Sequence, residues 1–331
     1  MLFSDCVKHL DSIYMFALNS NILVRYNMLN KHAELIGHIP KETTSARRLV
    51  AKLLVFNDQL LLVPCNASEV WIYDLKRDIW IDVGFEEKGI NFKFATAFIH
   101  DSKAVMIGCR YDGIVVYDFM KKELKYYKKP YDKWRQYNSI DIYCRDYAFS
   151  SNNTVLLPSC VTNEVAEINI ETMEVLCIHS IGDETNRYES IAVIGNECWI
   201  TPRVKGDMVI WNGYEVIEKM PVKMKDGPNV CHYCGIIEEN KKVYLFADMN
   251  AMSGYCDRKN REFKWEDQSY LFCHKDTGIV LVQNKDEEII VIANSNVERI
   301  PIREIHIKGF DLYYEMRAFA LDSFIEEIIS E

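Results

Sequence analysis

No stretch of the 331-residue chain stays apolar for the roughly 18 residues that a bilayer span requires. Residues 1–30 carry no charged segment followed by an unbroken apolar core, so no secretory leader is expected. A Gly-rich phosphate loop, a GxSxG elbow and an HExxH pair are all missing. Basic residues are outnumbered, with 39 Lys and Arg against 49 Asp and Glu, and a net charge of −10 argues against nucleic acid or an anionic membrane as the general partner. Cys231-His232-Tyr233-Cys234 is the lone CxxC. It has no second pair at zinc spacing, and it reads as part of a strand, where residues three apart face opposite sides. No metal and no cofactor are expected.

Cysteine itself is not scarce. The count is eleven, an odd number, and Cys109, Cys160, Cys198 and Cys273 sit in apolar strand contexts. Reduced, mostly buried thiols in a cytoplasmic protein are therefore expected. With 49% hydrophobic residues the chain can bury a sizeable core, and 19 Tyr within 12% aromatics favour strands over helices.

Leu53–Val83 sets the pattern: four runs of about five residues rich in Val, Ile, Leu, Tyr and Trp, separated by Asn57-Asp58, Pro64–Ser68 and Leu75–Asp78. Anchored on its second run, this unit recurs seven times, at Ile13–Leu18, Gln59–Pro64, Lys103–Gly108, Thr154–Pro158, Glu197–Pro202, Lys242–Ala247 and Gly278–Gln283. The starts lie 46, 44, 51, 43, 45 and 36 residues apart. Four strands in a period near 45 is the signature of propeller blades. The third runs recur as NILVRYN, EVWIYDL, GIVVYDF, EVAEINI, DMVIWNG, SGYCDRK and EIIVIAN. The expected fold is all-β: a seven-bladed propeller of four-stranded antiparallel blades over residues 1–310, followed by a helical extension over 311–331. Leu312, Met316, Phe319, Ala320, Phe324 and Ile328 recur there at three- and four-residue steps, with Asp311 as N-cap. Lys129–Asp141, with Trp134, Arg135 and Tyr137, is an insertion outside the repeat.

The third strand Val70-Trp71-Ile72-Tyr73-Asp74 and the fourth-strand tryptophans Trp80 and Trp265 resemble the kelch-type propellers, over roughly residues 5–308. Kelch blades usually end the second strand in Gly-Gly, where this chain has Val63-Pro64, Ile107-Gly108, Leu157-Pro158 and Thr201-Pro202. The resemblance implies the fold and carries no functional residue across. Propellers host lyases, hydrolases, oxidases and scaffolds alike.

Function must then be sought where propeller geometry gathers side chains. The loops entering the inner strands and those joining second to third strands form one face, around the channel mouth. Mapped onto the repeat, that face receives Arg47, Arg48, Lys93, Tyr143, Arg145, Arg187, Tyr188, His232 and Tyr233 from the entry loops. The other loops add Asn66, Arg110, Tyr111, Asn163, Arg203, Lys205 and Asn250. Arginine forks and tyrosine faces suit an acidic sugar, a phosphorylated small molecule or an acidic peptide. Arg48, Arg145, Arg187 and Arg203 are expected to converge there. The competing reading pairs these arginines with Asp112, Asp146, Glu189 and Asp207 from the same loops. The sequence thus supports a binding propeller for an anionic or sugar-like ligand or a partner protein, with a lyase-, epimerase- or hydrolase-type enzyme as the alternative.

Overall fold

All seven second strands expected from the repeat are present, as Ser12–Ala17, Gln59–Pro64, Lys103–Gly108, Thr154–Pro158, Glu197–Pro202, Lys242–Asp248 and Ile279–Asn284. They belong to a computed structural model that describes residues 2–308 apart from 88, 138–141, 226–229, 249, 277–278, 285–287, 294–295 and 303–306. Each lies in its own antiparallel sheet of four sequential strands, giving a seven-bladed β-propeller. The inner strands are Phe3–His9, Val50–Phe56, Phe94–His100, Ala148–Ser151, Tyr188–Ile194, His232–Glu239 and Tyr270–Asp276. The helix expected over 311–331 lies outside the described residues.

Burial explains the composition of each strand. The third strands Val70–Asp74 and Ile114–Asp118 are buried at every position, because neighbouring blades cover both faces of the sheet. Outer strands such as Ile79–Gly84 and Glu123–Tyr127 are partly or fully exposed. In six blades an acidic or amide residue at the end of the third strand turns the chain toward the fourth. Asp74 Oδ1 accepts from the backbone N–H groups of Lys76 and Arg77, and Asp118 Oδ1 does the same for Met120 and Lys121. Asn27, Asn169, Asn212 and Asp257 repeat the arrangement. Asn57 and Asp101 take the left-handed conformation that their tight hairpins demand.

The insertion is a plug. Tyr131–Trp134 forms one helical turn, continued as a 3-10 turn over Arg135–Tyr137. Tyr131 and Trp134 are fully buried between blades three and four. The Tyr131 hydroxyl donates to Gly108 O at 2.9 Å and Trp134 Nε1 donates to Glu164 at 3.0 Å.

The four main strands of every blade come from contiguous sequence, so blades one and seven are joined largely by side chains. Blades one and seven share one apolar cluster, including Phe3, Met15, Phe272, Leu281 and Val291. Phe3 N donates to Gln283 Oε1 at 2.7 Å across that seam. Ile307–Lys308 adds a fifth strand to blade one, parallel to His32–Gly37.

Candidate functional site at the channel mouth

Six of the seven inner strands carry a register shift in the same place, near the end at which the chain enters. Phe3 pairs with Ala17 but Asp5 with Phe16, leaving Ser4 unpaired. Ala51, Ala95, Cys234 and Leu271 are skipped in the same way in blades two, three, six and seven. In blade five Glu189 and Ser190 together oppose Thr201. A bulge re-aims the extra side chain. Here Ser4, Ala51, Ala95, Cys234 and Leu271 all line one cavity of about 290 Å3 at the mouth.

The rim of that cavity is fixed by main-chain hydrogen bonds passing from blade to blade. Lys93 N donates to Cys65 O, Tyr143 N to Cys109 O, Tyr188 N to Ser159 O and Cys231 N to Arg203 O. Cys65 N in turn donates to Leu49 O, Cys109 N to Lys93 O and Arg203 N to Arg187 O. Just before this circlet, Arg48 (φ 50°) and Phe92 (φ 56°) hold left-handed backbones, uncommon for such residues. Asn66 pins this corner: its Oδ1 accepts from Phe92 N at 2.9 Å and its Nδ2 donates to Arg47 O at 2.9 Å. The Phe92 ring consequently lies between two exposed guanidiniums, 5.6 Å from Arg48 and 5.4 Å from Arg110. Among the described residues neither arginine pairs with a carboxylate.

The other side of the mouth is closed by an ion cluster. Glu189 is fully buried, with Arg145 at 2.8 Å and Arg203 also paired to it. His232 Nδ1 lies 2.9 Å from the Arg145 guanidinium and 3.3 Å from Glu189. Burial alone would raise the Glu189 carboxyl, but Arg145, His232 and Arg203 reverse this and bring it down to about 2. Deeper in the channel, Asp5 accepts from Leu53 N at 2.8 Å and meets His274 at 2.8 Å and Lys52 at 3.2 Å, joining blades one, two and seven. Asp146 accepts from Ile191 N at 3.2 Å and pairs with Lys275 at 3.1 Å. Below this waist lies a larger cavity of about 600 Å3, walled mainly by Val7, Leu54, Phe98, Phe149, Val193 and Ile237. It is more spacious, and its lining side chains are apolar apart from Glu238, His274 and Lys275, whereas the mouth gathers Arg48, Arg110, Arg145 and His232, so the mouth is the better candidate for specific recognition.

The residues singled out in the sequence separate into three groups. Arg48, Arg110, Arg145, His232 and Tyr233 line the mouth cavity. Lys93, Tyr111, Tyr143 and Tyr188 are buried. Lys93 Nζ donates to Ala67 O and Ile90 O at 2.8 and 2.7 Å, and Tyr188 donates to Ile181 O. Tyr111 packs against Phe85 and Phe94, and Tyr143 against Tyr131. Arg187 and Arg203 form the third group. Arg187 donates to Glu184 O and Asn186 O within its own loop, while Arg203 lies buried against Glu189. The four-arginine convergence is therefore corrected: Arg145 and Arg203 meet on Glu189, Arg187 stays in its loop and Arg48 joins Arg110 at Phe92. Of the four carboxylates expected to compete, Glu189 alone takes these arginines. Asp112 pairs with Lys128 and Arg135, and Asp146 with Lys275. Phe92, Cys65 and the bulges themselves escaped the sequence reading, whereas the repeat places Asn66 on this face.

All eleven cysteines are unpaired thiols, nine of them buried. The two ends of the CxxC diverge: Cys231 Sγ contacts Met224 Sδ at 3.1 Å in the core between blades five and six, and Cys234 donates to Tyr270 O at 3.3 Å. His100, Asp101 and Glu171 bring three ligand atoms within 4.8 Å of one another on the outer surface. Lys103 already lies 3.7 Å from Glu171, which lowers the appeal of that cluster to a cation. Among the described residues no helix is long and apolar enough to cross a membrane.

No protein-family model matches the chain and no curated protein matches it by sequence. Solved structures do match by shape. Virginiamycin B lyase from Staphylococcus aureus superposes with a TM-score of 0.61 at 10% identity, covering 87% of this chain and 94% of that one. A streptogramin B lyase gives 0.60 at 10% identity, over 90% and 94% of the two chains. A chain of a mitotic checkpoint complex gives 0.59 at 12% identity, over 89% and 87%. At these identities the likeness is one of fold: the chain is a seven-bladed β-propeller of four-stranded antiparallel blades.

Proposed function

We propose that this protein is a binding propeller that takes an acidic segment of a partner protein at the channel mouth. One observation carries the reading: Arg48 and Arg110 flank Phe92 at the rim and no described carboxylate neutralises them. Two exposed guanidiniums beside an aromatic ring offer charge-assisted hydrogen bonds and a stacking surface to a chain bearing carboxylates and an apolar side chain. A shape neighbour works within a checkpoint complex, a role compatible with partner binding on this fold. The unpaired thiols suit a reducing compartment such as the cytoplasm.

An enzyme of lyase, epimerase or hydrolase type is the weaker reading, although two shape neighbours are lyases. Glu189, the one carboxylate joined to His232 at the mouth, is gripped by two guanidiniums and titrates near 2. Such a group is a poor proton acceptor at neutral pH.

The test is titration of wild type, Arg48→Ala and Arg110→Ala with a fluorescent acidic peptide carrying one phenylalanine. A charge-assisted contact contributes about 1.5–3 kcal/mol, so each variant should bind at least about tenfold more weakly, with binding that fades as salt rises. Equal affinity in all three proteins would refute the site. Equal binding of free citrate and the peptide would transfer the reading to a small anionic ligand.

A further inference from the structure

The larger cavity, on the far side of the waist, is written into the repeat. In blades one to six the residue two before the end of the inner strand is Val7, Leu54, Phe98, Phe149, Ala192 or Ile237. All six line the cavity of about 600 Å3. Blade seven breaks the series with His274, and follows it with Lys275 where blades two, three and five have Val55, Ile99 and Val193. Positions that the repeat keeps apolar are thus polar on one blade only for this pair.

The pair builds the ceiling of the cavity. Lys275 reaches across the channel from blade seven to Asp146, at the entry to blade four, at 3.1 Å. His274 Nδ1 meets Asp5 of blade one at 2.8 Å. Asp146 lines the mouth cavity, whereas Lys275 and His274 line this one. The Lys275 side chain is still 24% exposed, and an ammonium has three N–H donors, so Asp146 does not exhaust it. Among the described lining residues Lys275 is the one Lys or Arg, and the one carboxylate, Glu238, is held by Arg258 at 3.3 Å. Below the ceiling the walls are apolar. The rings of Phe98, Tyr147 and Phe149 pack at centroid separations of 4.6, 5.0 and 5.4 Å. Phe98 and Tyr147 are buried, but Phe149 leaves 42% of its surface exposed. Covering that ring with an apolar group is favourable.

We propose that this cavity is a second binding site, for a small amphipathic monocarboxylate. Its apolar body lies along the Phe98–Tyr147–Phe149 wall and its carboxylate accepts from the remaining N–H donors of Lys275. The cavity volume falls within the roughly 300–1,000 Å3 typical of small-ligand sites. A single cation on an otherwise apolar surface selects one anionic head group and an apolar tail. A sugar or a peptide would leave most of its polar groups without partners against these walls. The site is separate from the mouth, and it stands or falls independently of the acidic-segment reading.

Calorimetric titration of the full chain with decanoate, octanoate and decyltrimethylammonium, each below its micelle concentration, tests this. Decanoate should bind one per chain. Each buried methylene contributes about fourfold, so octanoate should bind about 15-fold more weakly. Decyltrimethylammonium, with the same tail and the opposite charge, should bind at least about tenfold more weakly than decanoate. Ala192→Leu, which fills part of the cavity, should weaken decanoate about tenfold or more. Lys275→Met should weaken it about tenfold or more while leaving decan-1-ol unchanged. That variant also strips Asp146 of its partner, so the comparison of head groups on wild type carries the same question without it. No saturable decanoate binding would overturn the site. Binding unchanged in Ala192→Leu would seat the decanoate elsewhere, the mouth arginines included, and overturn it too. Equal binding of decanoate and decyltrimethylammonium would overturn the carboxylate and its contact with Lys275.

Discussion

Glu189→Gln is the perturbation that separates what holds the mouth together from what the mouth binds. In the folded protein the carboxyl titrates at about 2 rather than 4.5. Converted at about 1.36 kcal/mol per unit, that difference amounts to ~3 kcal/mol of stability tied to the ionised form. The range for removing one partner of a buried ion pair, about 3–5 kcal/mol, agrees. The folded value lies below the unfolded one, so this stability is complete above about pH 4.5 and is lost as pH falls toward 2. Urea unfolding of wild type should therefore weaken steeply over that window. The variant should start ~3 kcal/mol lower at pH 7 and show a shallower acid limb. Glu189→Gln also releases Arg145, which lines the mouth. An added unpaired guanidinium should tighten acidic-peptide binding while the protein becomes less stable. A variant that loses less than ~1 kcal/mol, or keeps the wild-type acid limb, would refute the electrostatic account of this cluster.

Asp5→Ala strips Lys52 and His274 of their shared buried carboxylate at the seam between blades one, two and seven, and it should cost about 3–5 kcal/mol in urea unfolding. A cost below ~1 kcal/mol would place ring closure in the apolar cluster alone. Thiol titration of denatured, unreduced protein should recover close to eleven groups, and the folded protein should expose a single fast-reacting thiol, Cys177. Recovery of only a few would mean disulfides and an oxidising compartment.

The architecture was legible because a propeller repeats its instructions. Seven apolar runs near a 45-residue period, each followed by a third strand and a turn residue such as Asp74 or Asn169, leave few alternatives. The arginines of the mouth were harder. Sequence position brings Arg187 and Arg203 to the right face, but not whether each points into the channel, back into its own loop or toward a carboxylate. Lys93 looked like a surface cation and is instead enclosed by two carbonyls. The bulges left no mark in the hydrophobic pattern, because a single extra residue shifts the register without breaking an apolar run. Asp5 and Lys52 were a usable signal: charged residues amid buried positions of inner strands call for partners, although His274 lies 269 residues from Asp5.

The bulges also explain why the cavity opens where it does, and this leads to a last expectation. The repeated offset delivers a side chain to the mouth cavity from five blades: Ser4, Ala51 and Ala95 from blades one to three, and Cys234 and Leu271 from blades six and seven. The small residues on blades one to three leave room beside Arg48, Phe92 and Arg110, which line the same cavity. Ala95→Leu should therefore fill part of the 290 Å3 cavity directly below the paired arginines. Ala95 is half-buried on the channel wall, not enclosed in the core. The stability cost should then stay below the ~1–3 kcal/mol of a true overpacking mutation, while acidic-peptide affinity falls about tenfold or more. Ala192→Leu, which faces the opposite 600 Å3 cavity, is the matched control and should leave that affinity unchanged. If Ala95→Leu binds the peptide as wild type does, the bound chain does not enter the space that the small bulge residues create. If Ala192→Leu weakens it equally, the effect comes from the propeller as a whole rather than from the mouth.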